Sequence, residues 1–361
     1  IGEKGDFITS PEVSQIFGEM IAVWFVASWQ ACGSPKNFSI VEAGPGKGTL
    51  MSDVLHSLNS FPDFFKCLKN IHLIETSPSL RKLQASRLKA NISDTNNEGV
   101  QHGKYDEKID LIWHRSLITV PENIFSLTVA HELLDALPIH LFEYKEGKWR
   151  ERLVDVDESP EGFHFKQILS PSETPAVRAL LLPIQRSEGN EISRPLPSEG
   201  ETMEVSPMSI ALVQEVAKRI QKSGGCALFI DYGEDHPQGN TLRAYKRHKE
   251  VNMFENPGDS DITADVDFAA LRRCVGAMEN VKYFGPIVQG LFLQNMGALK
   301  RAEILIDQPH VSDDEAELIC DGLMRLMEPS QMGSKYKVFA VMESNQKSAA
   351  GFPIESNTKS Q

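Results

Sequence analysis

The chain has 361 residues, 41% hydrophobic and 24% charged, with a formal net charge of −13. That length holds one large or two ordinary domains with a substantial core; the acidic balance argues against broad binding of a phosphate backbone, so no nucleic-acid partner is expected, and favours a cationic one. Five dispersed cysteines without a C-x-x-C pair argue against a disulfide framework or a metal site, and no stretch has the length of apolar residues that a membrane span requires.

The sequence opens on Ile1 rather than methionine, so a processed or truncated product is expected, with any targeting peptide out of view. In "GEKGDFITSPE", Ser10 is placed to cap a helix starting at Pro11. Apolar residues at Ile16, Met20 and Val23 predict an amphipathic helix to about Trp29. "NFSIVEAG" predicts a buried strand, and Thr49 to about Leu58 the helix after the turn "GPGKG".

That turn selects a ligand class. A phosphate loop needs a glycine five residues before Gly46 and a hydroxyl residue after Lys47; this chain has neither. A dinucleotide fingerprint places its third glycine three residues after the second, but Gly48 follows Gly46 by two. Glu42, Gly44, Gly46 and Gly48 suit a ligand without a pyrophosphate, whose adenosine and amino-acid halves lie against bare backbone. S-adenosylmethionine is such a ligand.

"IHLIET" predicts a second buried strand ending on Glu75, where a carboxylate accepts both ribose hydroxyls. The spacing from Gly48 exceeds the usual value of about twenty, and "NSFPDFFKCLKN" supplies the extra length. "NISDTNNEG" predicts a loop. "IDLIWH" and "LTVAHELLDALP" are short apolar runs of the parallel-strand type. From Leu141 to Glu204 the pattern changes to antiparallel strands and charged turns, an insertion over 141–204.

Helix and strand alternate again through "IALVQEVAKRIQKSGGCALFIDYGE", a helix in "DFAALRRCVGAM", and strands "VKYFGPI" and "YKVFAVME", the last two forming an antiparallel pair. No internal repeat is visible. This order predicts an α/β fold, a doubly wound Rossmann-like sheet, with its core in 31–140 and 205–345, an N-terminal segment 1–30, and a disordered tail over 346–361.

In such sheets ligands sit at the carboxyl ends of the strands. Glu132 and Asp135 are expected in one turn, facing the same way, where a methyl acceptor would enter. Asp231 follows the fifth strand at the same edge. Asp261, Thr263, Asp265 and Asp267 read either as a further polar cluster or as capping residues. His114, His131 and His248 lack ligand spacing and read as packing residues. "GDFITSPEVSQ" is expected to fold over the cofactor as a lid, with Asp6, Thr9, Ser10 and Gln15 in contact with ligand or substrate.

"GEKGDFITSPEVSQIFGEMIAVWF", "VEAGPGKGTLMSDVL", "AHELLDALPIH", "DYGED", "GDSDITADVDFAALRR" and "FLQNMG" occur in this order over nearly the whole chain. Together they resemble the MidA family, mitochondrial arginine methyltransferases that assist assembly of respiratory complex I. Lys47 stands where an arginine is common, and Leu133-Leu134 where paired phenylalanines are common. The resemblance implies a class I methyltransferase of the mitochondrial matrix, using S-adenosyl-L-methionine to dimethylate symmetrically an arginine on a complex I matrix-arm core subunit. A homodimer is a further expectation.

Glu132 and Asp135 would clamp the guanidinium and Asp231 would take the departing proton. The rival reading is a non-catalytic assembly chaperone that binds the cofactor and the subunit. A nucleotide-dependent oxidoreductase is disfavoured by the glycine spacing.

Overall fold

The computed structural model describes residues 9–93, 95–159, 162–181 and 197–353. It opens on two helices, α1 (Ser10–Val13) and α2 (Gln15–Ala31). One helix from Pro11 with Ser10 as its cap was the expectation. Instead Thr9 is the N-cap, in a capping box with Glu12. The backbone turns extended at Ser14 (φ −157°, ψ 132°), whose hydroxyl accepts the Ile16 N–H and starts α2. A serine that bonds nearby backbone competes with helix continuation, which explains the break. α2 buries Phe17, Trp24 and Phe25 completely.

The strands β1 (Phe38–Ala43), β2 (Leu68–Ile74), β3 (Gln101–Tyr105), β4 (Ile109–His114) and β5 (Ser126–His131) follow. Interleaved with them are α3 (Thr49–Leu58), α4 (Pro62–Cys67) and α5 (Pro78–Arg87). The insertion forms its own antiparallel sheet of β6 (His140–Lys145), β7 (Lys148–Val156), β8 (Phe165–Leu169) and β9 (Thr202–Val205), in the order β8-β7-β6-β9. Phe142, Trp149, Val177, Leu181 and Met203 give it a small core.

The main sheet resumes with α6 (Pro207–Ser223) and β10 (Gly225–Glu234). A small sheet of β11 (Arg243–Lys246), β12 (Lys249–Val251) and β13 (Asp261–Thr263) comes next, followed by β14 (Val266–Asp267) and α7 (Phe268–Gly276). The chain closes through β15 (Val281–Val288), α8 (Gln289–Met296), α9 (Ala298–Ile306), α10 (Asp313–Met327) and β16 (Tyr336–Glu343).

The main sheet runs β15-β16-β10-β5-β1-β2-β4-β3. Pairing is parallel from β4 through β2, β1 and β5 to β10, while β16 is antiparallel to both β10 and β15. All six residues of β1 are buried, as a strand covered on both faces requires. One core packs α2 and α3 against the sheet, and a second packs α6 and α7 against it. Strand order reverses at β1, so the ligand crevice belongs beyond the carboxyl ends of β1 and β5.

Of the acids in "DITADVDF", only Asp267 is a helix cap, accepting the Ala270 N–H. The expectation of disorder from residue 346 fails for 346–353: Ala349 and Phe352 are buried, because Phe352 fills the gap between Phe284 and Phe292. Residues 354–361 lie outside the described residues.

Candidate active site

The loop after β1 is held by protein on both sides. Gly44, Gly46 and Gly48 all adopt left-handed backbone, with φ of 69°, 51° and 77°, a region that glycine enters without steric cost. A Cβ on Gly44 would stand 2.8 Å from Leu133 Cδ1, and one on Gly48 3.2 Å from Gln84 Cγ. Two of the three glycines thus admit neighbouring side chains as well as any ligand. The buried Gln84 amide donates to the Gly46 carbonyl at 2.7 Å and to Glu75 Oε2 at 3.3 Å, and its oxygen accepts the Trp113 indole N–H at 2.9 Å. Glu75 Oε1 accepts the Ser77 N–H at 2.8 Å.

A cavity of about 170 Å³ opens beside this loop. Its wall is built from Thr9, Pro11 and Glu12 at α1, Glu42 and Gly44 to Lys47 at β1, His131 at the end of β5 with Glu132 and Asp135 beyond it, and Tyr232 with Thr263. Lys47 Nζ lies 3.0 Å from Glu12 Oε1 and ties α1 to the glycine loop. Glu75 stands outside this wall, joined to Gly46 through Gln84.

The acidic pair is displayed by a loop rather than the helical turn expected. Glu132 has φ of +48°, and the chain behind it wraps around Asp231. Asp231 Oδ2 accepts the N–H groups of Leu133 (3.1 Å), Leu134 (2.8 Å) and Asp135 (3.3 Å), while Oδ1 accepts that of Tyr232 (3.0 Å). It is 1% exposed and lies outside the cavity wall. The surroundings set against the proton-accepting role expected of Asp231 are these backbone donors, which occupy its carboxylate and tie it to the loop. Burial and the neighbouring Asp135 and Glu132 push its pKa up, against the backbone hydrogen bonds that favour its anion.

Glu132 Oε1 accepts the Ser10 N–H at 3.3 Å and lies 3.4 Å from His131 Nε2. Burial, with Asp135 as a smaller cause, raises its pKa to about 8. Asp135 Oδ2 accepts the Thr263 hydroxyl at 2.7 Å and also that of Tyr232. Its Oδ1 is buried and without a partner among the described residues. Burial raises Asp135 too. Glu42 is 2% exposed, its Oε2 has no partner among the described residues, and burial lifts its pKa to about 8. His131 is held neutral, its pKa lowered by burial to about 3.

Residues 20–287 match a family model of S-adenosyl-L-methionine-dependent methyltransferases. The chain belongs to the MidA family of these enzymes. Its relatives include the "Protein arginine methyltransferase NDUFAF7 homolog, mitochondrial" of Drosophila melanogaster, 40% identical with 94% of this chain and 75% of the relative covered. The "Protein arginine methyltransferase NDUFAF7, mitochondrial" of Homo sapiens is 38% identical, with 95% and 74% covered. A Burkholderia thailandensis protein solved with S-adenosylhomocysteine has the same fold, with a TM-score of 0.74 and 24% identity over 96% of this chain and 81% of that one.

S-adenosyl-L-methionine is thus the methyl donor of this methyltransferase, and the location indicated by its relatives is mitochondrial. The residues present fit that donor. Gly44 and Gly46 of the glycine loop line the cavity beside Glu42, whose buried Oε2 has no partner among the described residues.

Of the residues expected at the site, the structure brings Glu42, Gly44, Gly46, Thr9, Glu132 and Asp135 to one cavity. Ser10 reaches it through its N–H to Glu132, and Gly48 caps α3. The Gln15 amide turns to Glu19 instead. Asp6 lies outside the described residues. Gln84 was missed as a site residue, while Tyr232 and Thr263, read only as members of polar clusters at this edge, join the cavity wall. The last two stand inside the stretches "DYGED" and "DITADVDF", but Gln84, within a polar helix, carries no sequence signal.

Proposed function

We propose that this methyltransferase modifies a protein arginine, producing symmetric dimethylarginine on a matrix-arm core subunit of complex I in the mitochondrial matrix, in support of complex assembly. The names of the relatives support an arginine acceptor. The observation that carries the reading is the pairing of Glu132 with the unpartnered Asp135 Oδ1 in the wall of the glycine-loop cavity.

Glu42, Gly44, Gly46 and Gly48 would hold the donor, with Thr9 and Ser10 at the head of α1, Glu75 toward its ribose, and Asp6 in the segment before them. When bound, S-adenosyl-L-methionine supplies an electrophilic methyl group on a sulfonium. An arginine guanidinium, with a pKa above ~12, enters charged and is a weak nucleophile. Glu132 and Asp135 accept its N–H groups and draw the positive charge onto two nitrogens, leaving the third richer in electrons. Because Asp135 Oδ2 is already held by Thr263 and Tyr232, Oδ1 is the oxygen that would be left for the acceptor. Entry of the cation also converts Glu132 from acid to carboxylate, since a nearby positive charge favours the anion.

The test incubates the protein with labelled S-adenosyl-L-methionine and the complex I subunit, then maps the label by mass spectrometry. Label on one arginine, as two methyl groups on separate nitrogens, is the expected result. Glu132→Gln and Asp135→Asn should each keep donor affinity and lose methylation on the order of 10²–10³-fold, as removal of one partner of a buried charge pair implies. A partner that binds tightly and stays unlabelled would favour the assembly chaperone.

A further inference from the structure

Two free cysteines far apart in sequence meet in the fold. Cys32 closes α2 and Cys226 lies near the start of β10, and their Sγ atoms stand 3.5 Å apart across a sequence separation of 194 residues. Cys226 is fully buried, whereas Cys32 is partly exposed. The opposite ends of the same two elements serve the cavity: α2 follows α1, and β10 ends on Asp231, Tyr232, Gly233 and Glu234.

We propose that Cys32 and Cys226 are a modification site, an accessible and a resolving thiol that close into a reversible disulfide when the protein meets a hydroperoxide. The geometry assigns the roles. Cys32 is the thiol that solvent reaches, while Cys226 is sealed against α2 with its sulfur directed at that of Cys32. The hydrogen bond from Cys226 lowers the Cys32 pKa against the opposing effects of burial and Glu343, and the same bond together with burial raises that of Cys226, so Cys32 is the thiol of the two that ionises more readily to the nucleophilic form.

The Cys32 thiolate attacks the outer oxygen of the hydroperoxide. The O–O bond breaks, Cys32 becomes a sulfenic acid, and the leaving alkoxide takes a proton to become an alcohol. Cys226 sulfur then attacks Cys32 sulfur. The S–O bond breaks, and the hydroxide leaves as water with the Cys226 proton. In balance, two thiols and one hydroperoxide give one disulfide, one alcohol and one water. Closing the gap to the ~2.05 Å of a disulfide takes about 1.5 Å of sulfur movement, which also draws the Cys32 sulfur away from the Gln346 amide that donates to it at 3.7 Å.

The experiment treats the full chain with near-stoichiometric hydrogen peroxide, alkylates the remaining thiols, and digests it without reductant for mass spectrometry. The expected product is a linked Cys32–Cys226 peptide, two hydrogens lighter than its parts, that disappears with dithiothreitol. A raised melting temperature should accompany it, because the bond closes a long loop, and Cys32→Ser should abolish both. In Cys226→Ala, Cys32 should advance to sulfinic acid for want of its resolving partner. The exposed Cys320 is the internal control. Two results would overturn the proposal: Cys32 overoxidised in the unaltered chain while Cys226 stays alkylatable after unfolding, or intermolecular Cys320 dimers as the sole disulfide. Both readouts are masses and melting curves, independent of any methylation.

Discussion

The Asp231 carboxylate accepts the Leu134 N–H at 2.8 Å, and the flanking N–H groups of Leu133 and Asp135 converge on the same oxygen. One buried acid therefore sets the course of the loop that carries both Glu132 and Asp135. Asp231→Asn turns one acceptor oxygen into an amide donor among these N–H groups, at a cost of about 1–3 kcal/mol for an orphaned buried donor. Urea unfolding should show a lower midpoint, and methylation should fall with it. Lost turnover at an unchanged midpoint would return Asp231 to the chemistry.

Because the Glu132 pKa lies at about 8, the clamp is mostly a neutral acid at pH 6.5 and mostly a carboxylate at pH 8.5. A guanidinium prefers the carboxylate. Affinity for an arginine peptide should therefore rise on the order of tenfold between these two pH values and then level off. Proton release, measured by calorimetry in buffers of different ionisation heat, should accompany binding at the lower pH and shrink at the higher one. An affinity independent of pH in the unaltered protein, and matched by Glu132→Gln, speaks against the clamp.

Burial raises the Glu42 pKa from 4.5 to about 8, so the folded state keeps a proton that the unfolded chain releases. The stability tied to this carboxyl is complete below pH 4.5 and is lost as pH rises through about 8. Glu42→Gln should therefore match the parent near pH 4 and exceed it at pH 7, by up to ~3 kcal/mol at ~1.36 kcal/mol per pKa unit. Thermal unfolding at the two pH values checks the sign. Weaker donor binding is expected alongside, since Glu42 walls the cavity.

Gln84→Leu keeps the bulk but takes the donor from the Gly46 carbonyl and the acceptor from the Trp113 indole. An orphaned buried N–H costs about 1–3 kcal/mol, which the unfolding midpoint should register. Calorimetry with S-adenosyl-L-methionine should show affinity down by roughly tenfold, because one lost hydrogen bond of about 1.4 kcal/mol frees the loop. Unaltered affinity would detach Gln84 and Glu75 from the donor site.

The parallel sheet was legible because strands covered on both faces are written as short, mostly apolar runs, as in "FSIVEA" and "LTVAH". The glycine loop was legible because left-handed backbone leaves little choice of residue. The backbone partners of Asp231 were illegible for a physical reason: an acid at a strand end looks the same in sequence whether it faces a ligand or a ring of backbone donors. Gln84 was invisible because its partners come from three other segments. The short strands β11 to β13 were missed because their charged residues carry no clear alternation. Ser14 hid a helix break inside an otherwise continuous apolar pattern. Phe352 hid too, as one aromatic in a polar stretch whose burial depends on a contact made far back in the chain.

Phe352 stands 6.1 Å from the Phe284 ring and 5.8 Å from that of Phe292, sealing the joint between β15 and α8. This placement dictates how the protein can be engineered. A purification handle or fluorescent fusion belongs after Pro353, where nothing described is disturbed. A shortened version ending at residue 345 would unplug the joint, wet two phenylalanine rings, and give an expression product prone to self-adhesion for reasons unrelated to its catalytic cavity.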